Sequence, residues 1–443
     1  MLALLPPIRS VPTGKYYFGS DTAAPQELSA QRWGLVVPEG QDLKPILGQL
    51  EPLLELRERQ QGAEPKVYRV PQGLQGEALY LWCDDVYEDD ATPEFERPRY
   101  LLLLGGFDTL SLELQQALST RAWVGRLAFD RPEDYGHYAR KACRWEAAPG
   151  QREAEVLLFS VRDGTPATRT GHAGLVVPCH QGLLQSKAQG QFPLLEVQGP
   201  DELGRTPKDF LEAVATTKPT VLLSMSHGLG APQGGWSSAD DQRGLQGAMR
   251  FGLGRKVSGT ELEARAFLPG GFWLYFACFG AGTPAVSAYR PWLEQLRDEA
   301  LAGEEVDRLA RSLDGPASRP FTAALPQRAL ANPEGPLGVI AHVDLAWSYS
   351  FQDVRDSTRS RASRFSQVLE LLATGSRAGI AVRKLANAAT LVEEQLLNLY
   401  KDMAKGQQVD PVRLAHYWML HQDLRSFVLL GDPAARLPLH PDS

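Results

Sequence analysis

Four cysteines in 443 residues, Cys83, Cys143, Cys179 and Cys278, are too few and too scattered to staple a chain of this length. A disulfide framework is therefore excluded, and a reducing, cytoplasmic compartment is expected. Basic excess is also missing: 46 Lys and Arg stand against 53 Asp and Glu, a net charge of −7. No basic patch interleaved with aromatics appears, so nucleic acid is not an expected partner. The opening Met-Leu-Ala-Leu-Leu-Pro-Pro-Ile-Arg has neither the basic start nor the long apolar stretch of a signal peptide. Residues 270–289 carry no charge, but glycines and Pro284 interrupt them, so they read as a buried strand and a glycine turn, with no membrane span expected. Gly105-Gly106 is too short for a phosphate loop. The acidic run Asp84-Asp85-Val-Tyr-Glu88-Asp89-Asp90 can attract a hard cation. A solvated loop is the simpler reading, and neither a metal nor another cofactor is expected. No internal repeat or low-complexity tract is present.

What the chain does contain is ordinary globular material, 43% apolar and 22% charged, in a length suited to two large domains or one two-lobed domain. Its organising stretch is residues 219–284. Two apolar runs there end in chemically unusual residues: Pro-Thr-Val-Leu-Leu-Ser-Met-Ser-His227-Gly228, and Gly-Phe-Trp-Leu-Tyr-Phe-Ala-Cys278-Phe-Gly280-Ala-Gly282. Short continuous apolar runs bounded by glycine and proline read as strands of a parallel sheet buried on both faces. Ligand crevices in such sheets lie beyond the carboxyl ends of the strands, where His227 and Cys278 emerge. Alone, a free cysteine or a strand-end histidine is usually structural. As a pair they suit acyl transfer, in which a thiol must become thiolate and an imidazole must protonate the leaving amine. Gly228 permits close backbone approach, and the N–H groups of Gly228 and Cys278 are candidates for an oxyanion hole.

Along the chain, residues 33–37 read as a strand and 43–60 as a helix. Residues 99–106 and 123–130 read as buried strands, and 132–146 as a helix. Turn chemistry at residues 148–151 marks a boundary, giving an amino-terminal lobe, 1–150, and a second lobe, 151–443. Ala154 begins a strand, and Thr206-Pro207 caps a helix leading into the histidine strand. Asp240 and Asp241 are a candidate third group for His227, with a cap or a solvated loop pair as the simpler reading. Residues 290–336 read as an insertion or linker before a buried strand at 337–347. Helical periodicity then covers 363–372 and 380–403, and residues 426–433 close the chain as a strand and turn.

These residues resemble the caspase-fold cysteine peptidases, and among them the bacterial gingipain-like and CHAT-domain families. Phe276-Ala277-Cys278-Phe279-Gly280 keeps the Ala-Cys-x-Gly core of the caspase run, with Phe276 replacing its glutamine and a histidine 51 residues upstream. Leu101-Leu-Leu-Leu-Gly105, Val124-Gly-Arg126, Gly338-Val-Ile-Ala with Trp347, and Leu430-Gly-Asp-Pro433 are similar to further parts of gingipains. The resemblance implies an α/β caspase-like fold: a mostly parallel sheet flanked by helices, in two tandem lobes, the second carrying the dyad. It implies a Cys278–His227 endopeptidase, restrained until an activating partner or ligand acts, cutting a protein or peptide in a defence or cell-death system. Trp347 and Phe351 would wall the pocket for the residue before the cut. Asp108 and Asp344 are candidate acidic pocket residues that would favour Arg or Lys there, whereas the aromatic wall would favour an apolar residue. A loop at 290–320 would be mobile and self-cleaved. A catalytically inactive module that binds a peptide or partner remains the alternative, and a thiol hydrolase acting on small esters or amides is a third reading.

Overall fold

The computed structural model describes residues 24–148, 150, 153–191, 194–263, 265–298, 304–317, 320–353, 356 and 359–439. The amino-terminal stretch considered above as a leader lies outside them, as do residues 299–303 and 318–319 of the 290–336 segment.

Ten strands form one sheet: β1 (Trp33–Pro38), β2 (Lys66–Val70), β3 (Tyr100–Leu104), β4 (Trp123–Leu127), β5 (Ala154–Ser160), β6 (Leu194–Gln198), β7 (Thr220–Met225), β8 (Phe272–Phe276), β9 (Gly338–His342) and β10 (Phe427–Gly431). Their spatial order is β2-β1-β3-β4-β10-β9-β8-β7-β5-β6. Strands β1 to β4 pair in parallel among themselves, as do β5 to β9, while β10 runs antiparallel to β9. The last strand of the chain thus lies between the strands contributed by residues 33–127 and those contributed by 154–342.

Register places the chemistry. Ser160 of β5 lies opposite Met225 of β7, and Met225 lies opposite Phe276 of β8. Residues just past those three positions therefore leave the sheet side by side. Every side chain of β7, β8 and β9 is buried, as expected for strands covered by helices on both faces. In the first half, alternate residues divide between two cores. Leu35 and Leu102 pack with Leu50, Tyr138 and Ala139 of the helices Lys44–Gln61 and Pro132–Glu146. Val36, Leu101 and Leu103 pack with Trp82 and Leu114 of the helices Gly76–Trp82 and Leu112–Ser119.

The turn after β10 is an electrostatic anchor. Asp432 is fully buried; its Oδ1 accepts from Trp33 Nε1 (2.9 Å) and Ala434 N–H (3.0 Å), and its Oδ2 accepts from Arg57 Nε (2.8 Å). Arg57 also pairs with Glu146 at 2.5 Å. Burial alone would favour the neutral guanidine, but the two carboxylates hold it charged and raise its pKa. The Leu430-Gly-Asp-Pro433 turn therefore ties the end of the chain to β1 and its following helix.

Three expectations change. The strand at 337–347 ends at His342, because residues 343–347 turn over the end of β8 and Asp344 adopts φ +78°. The linker reading of 290–336 does not extend to its last third: Phe321–Thr322 pairs with Gly282–Thr283, and the helix Ala324–Ala331 buries Leu325, Ala329 and Leu330. Before it, Arg290–Asp298 and Glu304–Ser312 are helices. Strands β2 and β6 are additions; in Lys-Val-Tyr-Arg-Val of β2, Val67 is exposed at the sheet edge while Tyr68 and Val70 face inward.

Candidate active site

His227 leaves β7 two residues past Met225, and Cys278 leaves β8 two residues past Phe276. A methyl group on Gly228 would collide with the carbonyl oxygen of Cys278, so the two strand ends touch through backbone at a place only glycine fits. His227-Gly228 also pairs antiparallel with Met249–Arg250, which fixes the histidine backbone from its other side. After Cys278 the chain turns sharply: Phe279 takes φ +56°, its N–H donates to Asp344 O (2.7 Å), and Gly280 N–H returns to Ala277 O (3.2 Å).

Behind the imidazole stands a polar group that sequence reasoning missed. The Asp163-Gly-Thr165-Pro turn follows β5, and Thr165 Oγ1 lies 2.8 Å from His227 Nε2. Asp163 Oδ2 is 3.8 Å from the same nitrogen, and Asp163 Oδ1 accepts from the hydroxyls of Thr165 (2.8 Å) and Thr168 (2.7 Å). Burial pushes the Asp163 carboxyl up, yet the threonine hydrogen bonds outweigh it and hold the group below the usual carboxylate range. Its side chain is 6% exposed and that of His227 31%, so the carboxylate is sheltered while the imidazole reaches solvent. The signal for this turn was an Asp-Gly immediately beyond a buried strand, at the sheet edge where the histidine was expected. Asp240 and Asp241, the sequence candidates for this place, instead begin the helix Ala239–Leu245, and Asp241 N–H donates to its Ser238 cap (3.0 Å).

Cys278 is half-buried beneath the 343–350 turn. Ala346 N–H donates to its Sγ at 3.4 Å. Burial pushes the thiol up to about 11, against the opposing pull of that N–H, and the carboxylates of Asp344 and Asp423 push in the same direction as burial. The resting sulfur is therefore a protonated thiol at neutral pH.

The remaining sequence candidates separate. Trp347 stands beside Cys278 in a cluster with Tyr289 and Trp292, each ring 5.6 Å from its own. Trp347 N–H donates to Asp423 (2.9 Å), and its indole Nε1, like Tyr289 Oη, is buried without a hydrogen-bond partner among the described residues. Phe351 is 1% exposed and packs edge-on against Phe276 at 5.4 Å, so it supports the strand from within the core. Asp344 is buried, and its carboxylate accepts from Ala288 N–H (3.0 Å) and Leu345 N–H (2.8 Å); it shapes the turn. Asp108 is exposed on the loop after β3, several strands from β8. Its neighbour Phe107 is the residue of that loop that reaches the cysteine chain, packing at Gly282. No metal-binding cluster of His, Cys, Asp or Glu occurs among the described residues, and no helix in them is long and apolar enough to cross a membrane.

No protein-family model matches the sequence, and no curated protein matches it. Solved structures do. One, described as the structure of a protease, aligns with a TM-score of 0.52 over 92% of this chain and 78% of its own, at 13% identity. A second, the complex of pro- and mature domains of Porphyromonas gingivalis RgpB, a gingipain, aligns with the same TM-score and identity over 92% and 80%. The fold is caspase-like. Both neighbours are proteases, and the caspase-like sheet here sets the ends of β5, β7 and β8 side by side.

Proposed function

We propose that the chain is a cysteine endopeptidase in which Cys278 is the nucleophile and His227 the general acid–base. The observation that carries this reading is the convergence of Asp163, His227 and Cys278 at three adjacent strand ends of a caspase-like sheet. Nε2 of His227 faces Thr165 and Asp163, so Nδ1 is the nitrogen that exchanges a proton with the thiol. In the reaction the thiol proton passes to Nδ1 as Sγ bonds to the scissile carbonyl carbon. The oxyanion is held by the N–H groups of Gly228 and Cys278. As the C–N bond breaks, His227 returns the proton to the departing amine, leaving a thioester. Water, deprotonated by the same imidazole, then releases the acid and restores the thiol. Asp163 fixes the ring and stabilises the imidazolium.

The residue before the cut meets the partly exposed Trp347 and Trp292 rings, backed by buried Tyr289, and the carboxylates of Asp344 and Asp108 are engaged or distant. An apolar or aromatic residue is therefore favoured over Arg or Lys. The half-buried thiol, pushed up to about 11, supports an enzyme restrained until a partner or ligand acts, and the pro-domain complex of the gingipain neighbour supports protein-mediated restraint. Mobility and self-processing within residues 290–320 belong to the same proposal, as do two lobes meeting near residue 150. All four cysteines are free, which suits a reducing cytoplasm. The family resemblance supports cleavage of one partner protein in a bacterial defence or cell-death system.

The same burial of Cys278 favours a second reading, a caspase-like module that binds a peptide without cutting. A peptidyl acyloxymethyl ketone with phenylalanine at the first position separates the two. Labelling at Cys278, lost in His227→Ala, supports the peptidase; an unlabelled Cys278 in a folded protein at every activating condition supports the binding module.

A further inference from the structure

Away from the dyad, a cleft of about 170 Å³ lies along the seam where β4 meets β10. That seam is thin: the two strands register through one pair, Arg126 opposite Leu430. The Gln115 side chain bridges it, accepting from Arg126 Nε (2.9 Å) and donating to Leu429 O (3.5 Å). The walls come from Val124 on β4, Val428 on β10, Val382 of the helix Ala378–Ala404 and Leu424 of the helix Pro411–Arg425. Interiors of folded proteins are close-packed, so an open cleft with apolar walls from both halves of the sheet, at their thinnest junction, is a place where a small ligand can seat.

Its polar groups define that occupant. Arg425 Nη2 donates to Gln116 Oε1 (2.6 Å), and Gln116 Nε2 donates back to Arg425 O (2.9 Å), which fixes one guanidinium on the wall. Arg383 lies over the Trp123 ring at 5.9 Å on another wall. Glu393 is the one carboxylate of the lining, and His421 is pushed down to about 4 by burial and by Arg425, so it is neutral at pH 7. Two guanidinium groups therefore face one carboxylate around an apolar floor.

Two contiguous sets of contacts lead from this cleft to Cys278. Phe427, on the cleft wall, has its ring 5.8 Å from that of Phe276, tilted by 46°, two residues before the cysteine. The helix Pro411–Arg425 gives His421, Leu424 and Arg425 to the cleft, while its Asp423 accepts from Trp347 N–H and Ser350 N–H, both at 2.9 Å. Those residues belong to the turn whose Ala346 N–H holds the Cys278 sulfur. A shift of this helix therefore moves the turn over the thiol.

We propose that the cleft is an effector site for a small anionic amphiphile, a carboxylate, sulfonate or phosphate on an apolar body, and that its occupancy changes the reactivity of Cys278. The second half of this proposal deepens the peptidase reading, but its test needs no peptide cleavage. Anilinonaphthalene sulfonate is titrated against the full chain by fluorescence, with decanoate as competitor, and alkylation of Cys278 by iodoacetamide is followed by peptide mapping with and without decanoate. Saturable binding at one site is expected, weakened tenfold or more in Ala386→Trp, which fills the cleft, and threefold or more in Arg383→Gln. Decanoate should change the alkylation rate of the wild type about fivefold or more, the low end of ordinary allosteric couplings, and change that of Ala386→Trp less than twofold. Thr390→Trp, at an exposed position of the lining, replaces Ala386→Trp if the latter does not fold. Equal dye binding by the wild type and a folded filled variant overturns the site. Binding that leaves the alkylation rate unchanged overturns the coupling. Because neither readout uses a cleaved substrate, failure here is distinct from failure of the peptidase reading.

Discussion

Beyond β3 and β4, Arg126 is fully buried and its Nη1 donates to the carbonyl oxygens of Gly105 (2.7 Å) and Gly106 (2.9 Å), with Nε on Gln115 and the Phe107 ring 4.4 Å from the guanidinium. Beyond β5 and β7, the Asp163–Thr165 pair also engages a nitrogen base, but that base is a half-exposed imidazole beside a cysteine. The same sheet thus ends its first half in a charge consumed by its own backbone and its second half in a sheltered carboxylate and threonine behind an imidazole that reaches solvent. A polar strand end whose donors are all satisfied internally acts as a structural plug, whereas one whose last member faces solvent is available to a ligand.

The comparison is broken most severely at the sulfur. Cys278→Ala should abolish proteolysis while moving the melting temperature by no more than about 2 °C, because a half-buried Cys→Ala change removes little packing; differential scanning fluorimetry beside a cleavage assay checks both. Next in size, Asp432→Asn should destabilise the fold by about 3 to 5 kcal/mol in urea unfolding, since it leaves Arg57 buried with one of its two carboxylate partners gone. Asp163→Asn should lower kcat/KM about a hundredfold with the fold intact. Asp163→Glu should recover part of the loss; equal activity of all three would make the turn merely structural. In the first half, Arg126→Met leaves the carbonyls of Gly105 and Gly106 unpaired, costs about 1 to 3 kcal/mol, and should leave activity per folded molecule unchanged. The smallest test is chemical: with the Cys278 thiol pushed up to about 11, its alkylation in the resting protein should keep rising, about tenfold per pH unit, from pH 7 toward that value. A plateau near pH 7 would instead reveal a thiolate–imidazolium pair already formed.

Much of the second half was legible because its central strands are unbroken apolar runs ending in glycine, and burial on both faces leaves that imprint. The helix Pro132–Glu146 and the capping box of Pro207–Ala213, built by Thr206 and Asp209, follow from local chemistry alone. Edge strands β2 and β6 were not legible, since one-sided burial dilutes the apolar signal. Nor was Asp163, because its partner lies 64 residues further along and only the parallel register of β5 on β7 brings them together. Phe351 shows the converse: an aromatic residue four positions past Trp347 looked like pocket wall, but the short helix Ser348–Ser350 turns it into the core behind Phe276.

Proteolysis through Cys278 is tested most directly by mapping the protein termini it creates. Wild type and Cys278→Ala should be incubated with a cell lysate, with and without products of neighbouring genes, and new protein termini mapped by mass spectrometry. Termini that appear only with the wild type and share an apolar or aromatic residue before the cut are expected. The same set of termini from both proteins, or none under any condition together with a Cys278 inert to peptide electrophiles, would contradict proteolysis through Cys278.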